Sequence, residues 1–222
     1  MNLTSKERVK LSLSWKDADR LPHNLYTTPE IDQKLKEYFK GRDYRDVFGV
    51  DFKGIWPDYR GEESIKAENG IRYDIWGTGY RTVKNEFGSY EEAVYHPLAE
   101  LKTMDDVAKY PWPDINANDY STMEAQCDKV KDFAICFGGE GVPGILNYIS
   151  DARGRELVLM DIISGDEVGT AIIDKRVDYY YEFVKRGLEA AKGKIDIMWF
   201  GDDLCTQTGM LFASSGFLLG WP

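Results

Sequence analysis

Two short apolar runs constrain this chain most: residues 133–137 (FAICF) and 195–200 (IDIMWF). Each ends in small and acidic residues, Gly138-Gly139-Glu140-Gly141 and Gly201-Asp202-Asp203. Short apolar runs closed by turn residues are what strands buried on both faces look like. Between them, residues 142–163 read as largely helical. Residues 166–192 carry the best helical pattern of the chain, with Val168, Ile172, Val177, Tyr181, Val184, Leu188 and Ala191 recurring at helical steps before Gly193. Strand, helix, helix, strand in series predicts an α/β fold with a parallel sheet. In such folds sites form just past the C-terminal ends of strands, where these Gly and Asp residues fall.

The earlier residues are less regular. Thr4 and Glu7 form a T-x-x-E capping box that starts a helix over 4–15, and DADRLP at 17–22 breaks it. A second helix is expected over 29–39, with Ile31, Leu35, Tyr38 and Phe39 on one face and Gly41 at its end. Residues 46–56 read as turn and strand, and 61–88 as an irregular hairpin excursion. Residues 91–95 read as a short polar turn or helix, 103–109 as a capped helical turn stopped by Pro111 and Pro113, and 119–131 as a helix. A chain of 222 residues, 43% hydrophobic, can bury a sizeable core, and one domain is the expectation.

Charge and cysteine content narrow the partners. The net charge of −10 gives no general attraction for nucleic acid or anionic lipid. No apolar run approaches the roughly 20 residues of a membrane span, and the polar start has no signal-peptide core. Cys127, Cys136 and Cys205 are widely spaced, which points to a reducing, cytoplasmic compartment without a disulfide framework.

Asp202 and Asp203 are the sharpest candidates for chemistry. Adjacent carboxylates past a buried strand can bind a metal, orient a substrate or act as a base; the same pair also suits a solvated turn or a helix N-cap. Thr206 and Gln207 add a hydroxyl and an amide on the same loop. Gly139 and Glu140 sit where backbone N–H groups can approach an anion at a helix start. Asn147 and Tyr148 come early in the next helix and can face the same pocket, and Arg153 and Arg155 flank Gly154. Arginines there can meet a substrate carboxylate, or form structural ion pairs with Asp151 or Glu156. No C-x-x-C, H-x-C or H-E-x-x-H occurs, so no metal ligands are assigned. Cys205 reads as a small hydrophobe, and His23 and His96, each beside a proline, read as structural.

Several segments together resemble one family. TSKERVKLSLSWKDADRLP, NGIRYDIWGTGYR, the stretch at 95–114 ending in KYPWPD, GGEGVPGILNYISDARGRELVLMDII and WFGDDLCTQTGML occur in the order found in the uroporphyrinogen decarboxylase superfamily. The pattern is closer to its uncharacterised and cobalamin-dependent methyltransferase-like branch. The resemblance implies a TIM (β/α)8-barrel with the site at the strands' C-terminal mouth. It implies either corrinoid-linked methyl transfer, in which a corrinoid protein is the partner and zinc activates a thiol, or decarboxylation of a porphyrinogen-like polycarboxylate. The alternatives are true uroporphyrinogen decarboxylation and a non-catalytic truncated fragment.

By position, Tyr148 matches a tyrosine near the decarboxylase substrate, and Asp202 stands where those enzymes have a substrate-contacting serine. The residue pattern and the resemblance together make Asp202, Asp203 and Tyr148 the catalytic candidates, and the residue pattern makes Gly139, Glu140, Asn147, Gln207 and Arg153 the substrate-binding ones. The arginine-rich N-terminal segment of true decarboxylases is replaced by LPHNLYTTPE. The family's H-x-C zinc motif lies beyond the GDD strand, so this chain is expected to bind no cofactor itself, with zinc held by a full-length parent. A complete barrel takes about 250 residues and eight strands. Three barrel strands are expected here, at 47–56, 133–137 and 195–200. The expectation is therefore a single domain, incomplete at its C-terminus: N-terminal helices to about residue 45, a partial barrel over about 46–212 and an aberrant tail over 213–222. Its small-molecule site would be accompanied by exposed barrel edges open to self-association.

Overall fold

The computed structural model describes residues 3–61, 69–86 and 88–211, with only the backbone of Glu140 and Gly141. The expected tail at 213–222 and part of the expected excursion at 61–88 lie outside the described residues. In chain order the elements begin with α1 (Ser5–Leu13), α2 (Pro29–Phe39), α3 (Tyr44–Val47) and β1 (Phe52–Ile55). There follow β2 (Asp58–Tyr59), β3 (Ile71–Tyr73), β4 (Gly79–Asn85), β5 (Gly88–Tyr95), α4 (Met104–Lys109) and β6 (Asn118–Asp119). The chain continues through α5 (Met123–Lys129), β7 (Ala134–Pro143), α6 (Ile145–Arg153), α7 (Arg155–Ser164), α8 (Glu167–Ala190) and β8 (Ile197–Gly201). The protein is a mixed α/β chain that divides into two compact units: residues 1–57, 120–137 and 187–198, and residues 58–119, 138–186 and 199–222.

In the first unit the three expected strands meet in one sheet of order β1-β7-β8. β1 and β7 run parallel, with Phe52 opposite Ala134 and Ile55 opposite Phe137. Ile55, Ala134, Ile135 and Phe137 are buried, as apolar runs without alternation require. The capping box of α1 is present: Glu7 N donates to Thr4 Oγ1 at 3.2 Å, and Thr4 N donates to Glu7 Oε2 at 2.8 Å. The arginines of the first segment converge on Asp51, which is fully buried just before β1. Its carboxylate accepts from Arg8 Nη1 and Arg20 Nη1, both at 2.6 Å, and from His23 N at 3.0 Å. Burial acts to raise the Asp51 carboxyl, but these donors hold it below its usual value.

The second unit contains an antiparallel meander of order β3-β4-β5 and a two-stranded pair, β2 with β6. Residues 91–95, expected as a polar turn or helix, belong to strand β5, because β4 supplies backbone partners from Gly79 to Asn85. Residues 118–119 pair in β6 and the helix that follows is shorter than expected, Met123–Lys129. Gly138 to Gly141 do not form a loop that opens a helix; they continue β7 to Pro143. The helical stretch after it breaks at Gly154, whose φ of +91° a glycine adopts without strain. The core of this unit is Leu98, Leu101, Val107, Leu146, Ile149, Ala152, Val158 and Ile172.

α8 exists as expected, but its buried stripe is rotated. Ile172, Arg176, Tyr179 and Phe183 turn inward, whereas Tyr181 is 66% and Leu188 39% exposed. The inward positions follow steps of four, three and four residues, a sound helical face. The arginine in the middle hid that face from a reading of apolar residues.

Candidate functional site

The site grows from the ends of β7 and β8. After β8 the chain turns at Asp202, and after β7 it enters α6 through Gly144, which has φ +50° and no capping side chain. The first amides of a helix lack intrahelical partners. Here Asp202 supplies them from 56 residues away: Leu146 N donates to Oδ2 at 2.6 Å and Asn147 N to Oδ1 at 3.1 Å. Asn147 Nδ2 in turn donates to Asp203 Oδ2 at 3.0 Å. Asp202 is thus both past a strand end and at a helix N-terminus, but the helix is α6 rather than one of its own.

This junction opens a cleft of about 580 Å³ lined by Asn147, Tyr148, Asp151, Arg155, Trp199, Gly201, Asp202 and Asp203. Asn147, Tyr148 and Asp151 share one face of α6, since i and i+4 are neighbours on a helix. Tyr80 Oη donates to Asp151 Oδ2 at 3.3 Å, and His96 Nδ1 donates to the Asp151 backbone carbonyl. Burial pushes the Asp151 carboxyl above its usual value, partly offset by Tyr80, Arg155, His96 and Arg176. Burial, with Asp74 and Asp151 nearby, likewise pushes the Tyr80 phenol up.

Behind Tyr148 lies Arg176, only 2% exposed. Its guanidinium carbon sits 4.9 Å from the Trp76 ring, 4.9 Å from Tyr148 and 4.7 Å from Tyr180. Nε and Nη2 donate to the Pro143 carbonyl at 3.1 and 2.9 Å, and Nε also approaches Gly144 O. Among the described residues no carboxylate forms an ion pair with it; ring faces and carbonyl dipoles hold the charge instead. Trp76 is set by Asp74, whose Oδ1 accepts from the backbone N–H of Trp76 and of Thr78, both at 2.9 Å. The DIWG segment therefore serves the wall behind the cleft.

The cleft brings together four expected site residues: Asp202, Asp203, Tyr148 and Asn147. Arg153 is not among them. It is 4% exposed, its Nε donates to Asp161 Oδ2 at 2.6 Å, and its Nη1 donates to the Leu98 and Leu101 carbonyls. Its partner is Asp161 rather than Asp151 or Glu156. Gln207 is exposed on the turn where Thr206 Oγ1 accepts from Gly209 N, outside the cleft lining. Gly139 lies within β7, also outside the lining, and the Glu140 side chain lies outside the described residues. Asp151, Trp199, Tyr80 and Arg176 had no part in the sequence-based site. For Asp151 a signal existed, its four-residue step from Asn147; for the others only tertiary structure brings them there.

His23 Nε2 meets the Phe48 carbonyl at 2.9 Å, and Cys205 is exposed. Among the described residues no three His, Cys, Asp or Glu side chains come together to hold a metal ion, and no helix is long and apolar enough to cross a membrane. Fold and site together define a mixed α/β protein with a polar cleft at strand ends. No protein-family model, curated protein or solved structure matches this chain.

Proposed function

We propose that the cleft is the small-molecule site of a uroporphyrinogen decarboxylase-like α/β barrel, of which β1, β7 and β8 form part. The observation that carries this reading is Asp202: the strand end and the start of α6 are clamped by one carboxylate, which places Asn147, Tyr148 and Asp203 around one opening. Strand-end clefts are where parallel α/β folds build their sites. Asp202 fixes the frame, Asn147 and Asp203 hydrogen-bond the ligand, and the Tyr148 ring packs against it.

Between the two parent reactions, corrinoid-linked methyl transfer comes first. The cleft lining contains three carboxylates and one arginine, Arg155, a poor complement to a porphyrinogen carrying many carboxylates. True decarboxylation is the second reading, favoured by Arg155 and by Asp151 as a source of protons. The described residues do not fit zinc, and none of the side-chain roles passes through it.

The test incubates the protein with methylcobalamin, a thiol and zinc, and separately with uroporphyrinogen. Methyl transfer in the first, with KM raised about tenfold in Asp203→Asn, is the expected result. Turnover of uroporphyrinogen alone reverses the order of the two reactions. No turnover in either assay overturns both catalytic readings and leaves the cleft a non-catalytic role.

A further inference from the structure

One carboxyl group in the cleft neither frames the opening nor holds the ligand. Asp151 lies at the middle of the α6 face that lines the opening, and its surroundings come from four other elements. Tyr80 of β4 donates to Oδ2. Tyr80 is itself buried and fixed: the Arg72 guanidinium lies 5.1 Å over its ring and is ion-paired to Glu91. His96, just ahead of the turn at Pro97–Glu100, donates to the Asp151 carbonyl, one of the last carbonyls of α6 that the helix leaves unsatisfied. Arg155 of α7 and Arg176 of α8 supply positive charge, while Asp202 and Asp203 line the opening with it. Both Asp202 oxygens are taken by main-chain donors and one Asp203 oxygen by Asn147. Asp151 Oδ1 has no hydrogen-bond partner among the described residues.

We propose that Asp151 is the proton-transfer group of this cleft, acting as a general acid with Tyr80 as its positioning residue. The inference rests on the cleft being a ligand site. The carboxyl proton passes to a basic atom of the bound ligand, whose lone pair forms the new bond; the O–H electron pair stays on Asp151. The resulting carboxylate keeps the Tyr80 hydrogen bond and faces Arg155 and Arg176. Burial favours the neutral acid before transfer, and the hydrogen bond and cations support the anion after it. Perturbed carboxyls held by a specific partner in a cleft are a mark of such groups.

The experiment titrates protein labelled with carbon-13 at the aspartate carboxyls, with the Asp151 signal identified by its loss in Asp151→Asn. The midpoint is expected above the ordinary aspartate value of about 3.9, and higher again in Tyr80→Phe, because the phenol hydrogen bond favours the carboxylate. A midpoint at or below the ordinary value overturns the proposal, as does one that Tyr80→Phe leaves unmoved. In the decarboxylation assay, where a proton takes the place of the departing carboxylate, Asp151→Asn lowers kcat about 100-fold with KM little changed; turnover in the methyl-transfer assay alone, which takes up no proton, overturns the proposal. Activity falls as pH rises through the Asp151 midpoint, and that limb moves up in Tyr80→Phe. Wild-type kcat in Asp151→Asn overturns the role of Asp151 while the cleft reading stands. Absence of turnover by the unaltered protein counts against the cleft reading, and the titration then decides the state of Asp151.

Discussion

Two buried arginines of the second unit show how differently one side chain can be held. Arg176 rests on aromatic faces and carbonyls, whereas Arg153 forms a two-point pair with Asp161, at 2.6 and 3.4 Å, and caps the carbonyls of Leu98 and Leu101. Removing one partner of a buried pair leaves the other charge without compensation, a loss of about 3–5 kcal/mol. Arg153→Met should therefore lower the unfolding free energy in urea by about that much, and Arg153→Lys should recover only part, since an ammonium cannot reproduce the planar fork. A loss below about 1 kcal/mol in Arg153→Met would contradict this account. Arg153 and Arg155 were equivalent in sequence, each one residue from Gly154. The break at Gly154 puts them on different helices, so that one is interred and the other lines the cleft.

At the level of elements, α8 makes the same point over its length. Its end carries Gly187, buried against Phe137 of β7. A Cβ on Gly187 would fall 2.3 and 2.5 Å from carbons of the Phe137 ring, closer than atoms pack. Helix propensity alone favours Gly187→Ala by about 1 kcal/mol. Overpacking of a formed core costs about 1–3 kcal/mol, and here the clash is with a fully buried ring. Gly187→Ala is expected to destabilise, read as a lowered midpoint in thermal unfolding. A rise in that midpoint would mean that Phe137 repacks freely. Gly193→Ala, where a Cβ meets open space but φ is +75°, tests strain without contact.

For the molecule as a whole, stability toward acid depends on carboxyls that their partners hold low, and the fully buried one, Asp51, lies in the first unit. The Arg8 side chain holds Asp19 at about 2 against the opposing effect of burial, and Asp51 and Asp196 are also held low by cationic and main-chain donors. A depressed carboxyl contributes stability above its unfolded value of about 3.9, and that contribution is lost as pH falls through the folded value. Unfolding free energy should therefore drop on acidification below about pH 4, and Arg8→Met should flatten the fall. Equal slopes in the two proteins would show that the Arg8 cluster does not govern it. Asp74 and Asp151 have the opposite sign: burial raises them, so their contribution favours folding while they are protonated and fades as pH rises through their folded values. The sequence by itself determined what is satisfied locally. The two apolar runs became β7 and β8, and Thr4 with Glu7 and Thr103 with Asp106 formed caps, because each pattern is written in residues a few places apart. Tertiary structure alone decided the rest. Gly88–Tyr95 is a strand because β4 lies beside it, and Arg176 faces inward because the Trp76 and Tyr148 rings, from elsewhere in the chain, receive it beside Tyr180 of its own helix. Asp202 caps a helix 56 residues away and Tyr80 reaches Asp151 across 71, separations at which no local pattern records a partner and only packing brings the donor to its acceptor.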